Sequence, residues 1–291
     1  MEIIFAGGAK LKMKKRLLFH LYAGNEWIAN EAIRIHLSCI KHYCSIFDDV
    51  VIVVAMDDEN EHLLPEIKNT IVNVVDVPSL TIKVVKNTPL REAKTFYDEA
   101  VNDNYNGLTF FAHSKGASNI ANSRYNCSYI IDWILGLYWL SLNFVDEAEQ
   151  CLLCSTQNMN SPFFGSFACI ERDGNLFERA AYSGAFYWVN MGYVKNEMSI
   201  NGFDFPVMST RMFAEEFPGH ICVMMNIYQG SHKGSRQFYD VFDMYGEKGE
   251  GYYSVFNAIE FHCLHNENLI QDYLNFKSEI LLDAESFVNN C

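Results

Sequence analysis

The segment Gly107-Leu-Thr-Phe-Phe-Ala-His-Ser-Lys-Gly-Ala-Ser-Asn119 decides how the rest of the chain is interpreted. Its first part is a short apolar run that follows an Asn-Gly turn, which predicts a buried strand. The run ends in His113, Ser114 and Lys115, followed by Gly116. In an open α/β sheet, ligands bind beyond the carboxyl ends of the strands. The segment therefore predicts either a ligand site or an ordinary strand-to-helix turn with a solvent-facing lysine.

Strands and helices alternate regularly along the first part of the chain. Strands are predicted over residues 16–22, 49–56, 80–85 and 108–112, with helices over residues 26–45, 62–75 and 89–101. The second strand is a near-continuous β-branched run, which is typical of a parallel strand covered on both faces. The alternation predicts an α/β fold with a doubly wound, mostly parallel sheet and helices on both faces.

The remainder of the chain is less regular. The pattern indicates one long helix over residues 124–150, strands over residues 164–170 and 182–189, and a helix over 209–217 that stops at Pro218-Gly219. A terminal amphipathic helix is predicted over residues 266–289. We expect an N-terminal extension over residues 1–15 and one domain over residues 16–220. A C-terminal helical and loop extension over residues 221–291 is expected to pack on the same domain.

The composition limits the class of ligand and the compartment. The chain has 291 residues, a formal net charge of -14 and a pI near 5.0, which argues against nucleic-acid binding because such a groove needs a basic face. Nine scattered cysteines fit a reducing compartment, and Cys151 and Cys154 are interpreted as core thiols. No signal peptide is visible. We expect no transmembrane segment, since the longest apolar run, residues 129–144, is shorter than the ~20 residues required.

Four short motifs occur in an order that resembles a known family. They are Phe19-His-Leu-Tyr22, His113-Ser-Lys-Gly116, Ser183-Gly-Ala-Phe-Tyr-Trp188, and Arg211 with Ala214-Glu215. Together they resemble the bacterial glycosyltransferase-like proteins of surface-polysaccharide clusters, which are similar in pattern to rhamnan-synthesis-type enzymes. Those proteins carry an H-I-Y opening and H-T-K-G, G-N-F-W-W and A-E-x-W motifs. This sequence departs from that pattern at Ser114, Ala185, Tyr187 and Phe217.

The resemblance implies a GT-A-like nucleotide-diphospho-sugar transferase fold and a hexosyltransferase-type activity. The donor would be a nucleotide-sugar, and the acceptor a glycan or lipid-linked oligosaccharide of a capsule or lipopolysaccharide. The implied location is the cytoplasm, either free or peripheral to the inner face of the membrane. The competing interpretation is a non-catalytic subunit that binds a nucleotide or a glycan within a polysaccharide assembly machinery.

A departing diphosphate develops negative charge that must be stabilised. Many enzymes of this fold hold a divalent metal ion, Mn²⁺ or Mg²⁺, with an Asp-x-Asp after the fourth strand, where this chain has His113, Ser114 and Lys115. These three residues are therefore predicted to bind the donor phosphates, with Lys115 in place of the metal charge. Gly116 would let backbone N–H groups approach the phosphates. We therefore predict transfer without a metal ion, and transfer that needs Mn²⁺ or Mg²⁺ is the alternative.

Polar residues after the first two strands extend the predicted donor site. Tyr22 ends the first strand, and Asp57 and Asp58 follow the second. A carboxylate there can accept hydrogen bonds from a ribose or a base, and the pair is also the fallback metal site. The alternative is that the two residues begin a loop and cap the next helix. Arg211 is predicted either to bind phosphate or to pair with Glu215 one helical turn later.

An inverting transfer needs a carboxylate that deprotonates the acceptor hydroxyl. Glu215 aligns with the helix glutamate of the family, and Glu216 lies beside it. Neighbouring side chains on a helix point about 100° apart, so only one of them is expected to face the cleft. Glu215 is the preferred base, and a solvated acidic helix face is the alternative.

The acceptor sugar is predicted to contact Ser183, Gly184 and Trp188. Phe186, Tyr187 and Trp188 could form a wall on which a sugar stacks. Alternate side chains of a strand face opposite ways, so at least one of these three aromatics is expected in the core.

Overall fold

The computed structural model describes residues 13–24, 27–114, 116–117, 127–158, 162–165, 168–169, 181–182, 185–208, 213–225 and 267–289. The strands within these residues are β1 Lys15–Tyr22, β2 Asp49–Met56, β3 Leu80–Lys86, β4 Leu108–His113, β5 Phe163–Gly165, β6 Ala168–Cys169, β7 Ala181–Tyr182 and β8 Tyr187–Asn190. Six of them form one sheet in the order β3-β2-β1-β4-β8-β5, and β6 pairs with β7 separately.

The sheet is mostly parallel. Strand β1 pairs in parallel with both β2 and β4, and β2 pairs in parallel with β3, whereas β8 runs antiparallel to β4 and to β5. The chain therefore winds outward from β1 to β3 and then continues on the other side of β1 at β4. The topological switch point lies between β1 and β4, and the predicted doubly wound α/β class is confirmed.

Helices cover both faces of this sheet. The α-helices of the described residues are α1 Glu31–Tyr43, α2 Leu64–Val74, α3 Arg91–Phe96, α4 Cys127–Leu142, α5 Val145–Asn158, α6 Met191–Ile200, α7 Phe213–Met225 and α8 Glu267–Asn289. A π-helical turn, Tyr97–Val101, continues α3, and two 3₁₀ turns cover Cys44–Ile46 and Asp58–Leu63. None of the helices in the described ranges is long and apolar enough to cross a membrane.

Two hydrophobic cores follow from the alternation of side chains along the strands. Leu17 and Phe19 of β1 point into the larger core, where α1, α2, α4, α5 and α8 pack. Leu18 points into the other core, which contains side chains of α3, α6 and α7. Burying one such side chain contributes roughly 1.5–3 kcal/mol, so both faces stabilise the sheet.

Several predicted boundaries were wrong for local reasons. The helix predicted over residues 124–150 is two helices, because the chain turns at Asn143 between α4 and α5. Helix α1 begins later than predicted, where the side chain of Asn30 accepts a hydrogen bond from the N–H of Ala32. Pro89 precedes α3 instead of occupying its first position, and Pro218 lies inside α7 instead of stopping it.

The C-terminal helix α8 packs on α1 and α4. Lys41 of α1 forms an ion pair with Asp283 at 2.5 Å, and the ring of Trp139 in α4 meets that of Tyr273 edge to face. Lys277 pairs with Asp132 at 2.5 Å. The described part of the predicted extension thus lies on the body that carries the sheet, while the predicted domain boundaries stay a prediction.

Candidate functional site

The carboxyl ends of the four adjacent parallel strands carry polar side chains. Tyr22 ends β1, Asp57 directly follows β2, Asn87 directly follows β3 and Ser114 directly follows β4. Parallel strands end at the same edge of a sheet, so the topology places these residues side by side.

Ser114 joins the two strands at the switch point. Its hydroxyl oxygen accepts a hydrogen bond from the N–H of Tyr22 at 2.9 Å, and its own N–H donates to the carbonyl of His20 at 2.8 Å. Ser114 is also buried. The structure therefore gives this side chain a role in positioning the end of β1, and its predicted contact with donor phosphate stays a prediction.

Asp57 is held between the ends of β1 and β3. Its Oδ2 accepts a hydrogen bond from the hydroxyl of Tyr22 at 3.3 Å, and its Oδ1 accepts one from Nδ2 of Asn87 at 3.2 Å. Although Asp57 precedes the 3₁₀ turn Asp58–Leu63, its side chain makes no capping hydrogen bond there. The capping alternative is therefore wrong for Asp57, and its carboxylate faces the strand ends.

Asp58 has a different partner from Asp57. Its carboxylate forms an exposed ion pair with Lys86 at 2.5 Å, and the charge of Asp57 also acts on this lysine. The fallback prediction that the two carboxylates share a metal ion stays a prediction. Within the described residues there is no group of three His, Cys, Asp or Glu side chains placed to hold a metal ion.

Arg91 adds a positive charge to this edge of the sheet. It begins α3 with a left-handed φ of 46°, which is uncommon for a residue other than glycine. Burial and the nearby Asp57 raise the pKa of Tyr22, while the charge of Arg91 acts in the opposite direction. The guanidinium is therefore within electrostatic reach of the Tyr22 hydroxyl, which stays protonated at neutral pH.

Two histidines lie next to each other on β1 and β4, with His20 in register with His113. His20 is buried, and its Nδ1 lies 2.8 Å from the hydroxyl of Thr95 in α3. Burial lowers the pKa of His20 to about 4, Glu92 opposes this shift, and His113 and Arg91 add to it. His20 is thus a neutral, hydrogen-bonded core residue. His113 is buried against the ring of Phe186 at a centroid distance of 5.8 Å.

Gly116 is required by the local backbone. Its φ of 82° is left-handed, and a Cβ at this position would collide with Cγ2 of Ile130 in α4. This steric requirement is sufficient to explain the glycine, and its predicted approach to phosphate stays a prediction. Lys115 lies outside the described residues.

Glu215 and Glu216 lie in the first turn of α7, and both are half-buried. Helix α7 packs against α3 through ring contacts such as Phe217 with Phe96. His20 points toward this same face of the sheet. Glu216 lies 4.0 Å from His220 one turn later. Both glutamates remain candidates for the catalytic base, and Arg211 lies outside the described residues.

The predicted sugar-stacking wall is part of the core. Trp188 is fully buried, its Nε1–H donates to the carbonyl of Ser141 in α4 at 2.9 Å, and its ring stacks on Phe47. Phe186 and Tyr187 are equally buried. The sugar-binding prediction for Trp188 is corrected accordingly, because a sugar ring has no access to this indole. Ser183 and Gly184 lie outside the described residues.

Sequence reasoning missed two residues of this edge. Asn87 follows β3 as Asp57 follows β2, so the rule that identified Asp57 would also have identified Asn87. Arg91 carried no such signal, since its position depends on a left-handed backbone that arginine rarely adopts. Among the described residues, this edge offers a carboxylate, a carboxamide, a phenol hydroxyl and a guanidinium, which suits recognition of a polar anionic ligand.

The chain matches no family model, and no curated protein matches its sequence. Among solved structures it is similar to 4-diphosphocytidyl-2C-methyl-D-erythritol synthase from Anaerococcus prevotii DSM 20548. The similarity has a TM-score of 0.32 and 11% sequence identity, over 73% of this chain and 84% of that one. A likeness this weak carries no argument about the activity of this chain.

Proposed function

We propose that this chain is a glycosyltransferase that moves a hexosyl group from a nucleotide-sugar to a growing surface glycan. The observation that carries the proposal is the row of polar groups at the carboxyl ends of β1 to β4, on both sides of the switch point. In open α/β sheets this crevice is where nucleotides bind. The GT-A-like character of the fold is part of the proposal.

The chemistry of this edge suits a nucleotide diphosphate. The carboxylate of Asp57 makes no capping bond and can accept hydrogen bonds from a nucleoside. Arg91 is exposed, and its guanidinium makes no ion pair with a carboxylate of the described residues. A guanidinium binds phosphate oxygens bidentately, so Arg91 joins Lys115 as a candidate for stabilising the departing diphosphate.

Donor binding is the first test. The thermal midpoint would be measured with UDP-, GDP-, CMP- and dTDP-sugars, each in EDTA and in Mn²⁺. A donor present at about 100 times its Kd should stabilise the fold by about 2.7 kcal/mol. A shift that survives EDTA supports metal-independent binding, and a shift only with Mn²⁺ supports a metal-assisted site. The absence of a shift with every donor would contradict the proposal.

Catalysis is tested separately from binding. With the donor identified, Glu215→Gln should abolish nucleotide release while leaving the donor Kd within about threefold, because the base acts only on the acceptor. Glu66→Gln, which alters an exposed first-turn glutamate of α2, is the matched control and should leave both quantities unchanged. A wild-type protein that binds donor and acceptor without any turnover would instead be the non-catalytic binding subunit.

A further inference from the structure

Three strands contribute to one hydrogen-bond network at the carboxyl edge of the sheet. Oδ2 of Asp57 accepts a hydrogen bond from the hydroxyl of Tyr22 at the end of β1. Oδ1 accepts one from the carboxamide of Asn87, which directly follows β3. All three side chains are half-buried, so the network is open to solvent on one side. We refer to Tyr22, Asp57 and Asn87 as the Asp57 network.

The hydrogen bonds of Asp57 leave it with a defined spare capacity. An ionised carboxylate has two oxygens with about four acceptor positions and no donor. Tyr22 and Asn87 occupy one position on each oxygen, and the side chain makes no capping bond that would occupy another. Lys86, the last residue of β3, is paired with Asp58. Among the residues that the structure describes, each oxygen of Asp57 therefore keeps one free acceptor position.

The two neighbours also set the orientation of the carboxylate. Because one donor holds each oxygen, rotation of the carboxylate plane would break at least one of the two bonds. Tyr22 remains a donor at neutral pH, since burial and Asp57 raise its pKa. A carboxylate held in this way presents its two oxygens side by side to a pair of adjacent donors.

We propose that the Asp57 network binds a pair of adjacent hydrogen-bond donors on the nucleoside of the ligand. This inference rests on the proposed function, and it narrows the ligand class. Two groups in nucleotides supply such a pair: the vicinal 2′,3′-diol of ribose, and the N1–H and N2–H edge of guanine. Asp57 accepts both hydrogen bonds, and Tyr22 and Asn87 are positioning residues that act through its carboxylate.

The test compares five nucleotides by isothermal titration calorimetry at one ionic strength, in EDTA and again in Mn²⁺: UDP, dUDP, GDP, dGDP and IDP. A hydrogen bond to a charged group is worth about 10- to 100-fold in affinity. If the pair is the diol, both 2′-deoxy nucleotides bind more weakly than their ribose counterparts by this factor. If the pair is the guanine edge, GDP binds more tightly than IDP by this factor, and dGDP binds with the same affinity as GDP.

The variants separate the role of Asp57 from a general loss of binding. The discriminating ratio is the affinity for the preferred nucleotide divided by the affinity for the counterpart that lacks one donor. Asp57→Asn should reduce this ratio to within about threefold of one, because an amide offers a single acceptor oxygen. Tyr22→Phe and Asn87→Ala should each reduce the same ratio partially, and they also serve as the test if Asp57→Asn does not fold. Asp98→Asn is the control: it changes an exposed aspartate outside the Asp57 network, one that is paired with Lys94, and should leave the ratio unchanged.

Two distinct failures are possible. If the wild-type protein binds none of the five nucleotides in EDTA or in Mn²⁺ and shows no thermal shift with any nucleotide-sugar, the proposed function fails and this inference fails with it. If it binds a nucleotide-sugar but none of the five nucleotides, only the assignment to Asp57 is overturned. If the protein binds nucleotides but does not distinguish them, or if Asp57→Asn keeps the wild-type ratio, the nucleotide site stands and the assignment to Asp57 is overturned. Tighter binding of the 2′-deoxy nucleotides than of their ribose counterparts would directly contradict binding of the ribose diol.

Discussion

The hydroxyl of Tyr187 in β8 donates a hydrogen bond to the main-chain carbonyl of Ala214 in α7 at 2.7 Å. Pro218 lies four residues after Ala214 and has no N–H, so it cannot make the helical hydrogen bond to this carbonyl. A donor from the sheet thus replaces the missing backbone donor. This pairing explains how α7 continues through a proline that the sequence pattern predicted would end it.

The first prediction follows from this pairing. Tyr187→Phe should destabilise the protein by about 1–3 kcal/mol, because the buried carbonyl of Ala214 loses its donor. In the Pro218→Ala background, Tyr187→Phe should lower the free energy of unfolding by a clearly smaller amount, since residue 218 then supplies an N–H. Chemical denaturation of the four proteins gives the coupling energy. Equal costs in both backgrounds would show that the hydroxyl does not compensate for the proline.

A second prediction concerns Gly116. Replacing it by alanine imposes a left-handed φ of 82° on a residue with a Cβ, and that Cβ collides with Ile130. Gly202→Ala is the matched control: its φ is 66°, but a Cβ there would meet no atom within 4 Å. We expect roughly 1 kcal/mol of destabilisation for Gly202→Ala and a clearly larger loss for Gly116→Ala. Equal losses would show that the contact with Ile130 relaxes freely.

The third prediction is a pH dependence of stability caused by His20. Its pKa is about 4 in the folded protein and 6.5 in the unfolded chain, so the unfolded chain binds more protons as the pH falls below 6.5. Stability is therefore lost on acidification, by ~2 kcal/mol between pH 7 and pH 5. His20→Gln should lose this component. His113, Glu92 and Arg91 act on His20 and remain in the variant, so an unchanged pH slope in His20→Gln would assign the effect to other groups.

The fourth prediction tests the core position of Trp188. Its indole N–H donates to the carbonyl of Ser141 near the end of α4. Trp188→Phe should lower the free energy of unfolding by about 1–3 kcal/mol. The affinity for nucleotide and glycan should not change in the variant at a temperature where it remains folded. A selective loss of glycan affinity would reinstate the sugar-contact role.

Local patterns predicted most of the parallel half of the sheet. Strand β2 was predicted with the bounds that the structure shows, since a β-branched run reports burial on both faces without any knowledge of its neighbours. The same reasoning placed His113 and Ser114 at a strand end. Where a tertiary contact overrode a local signal, prediction from the sequence failed. Pro218 is the clearest case, because its partner Tyr187 lies 27 residues earlier in the chain.

The sequence by itself determined the order of strands and helices, the α/β class and the polar ends of individual strands, because each depends on residues close together in the chain. Only the tertiary structure decided which of those polar groups meet. Asp57 accepts hydrogen bonds from partners 35 and 30 residues away, whereas its neighbour Asp58 forms an ion pair with Lys86. The pairing of parallel strands brings such distant residues together, and that pairing is a property of the assembled sheet.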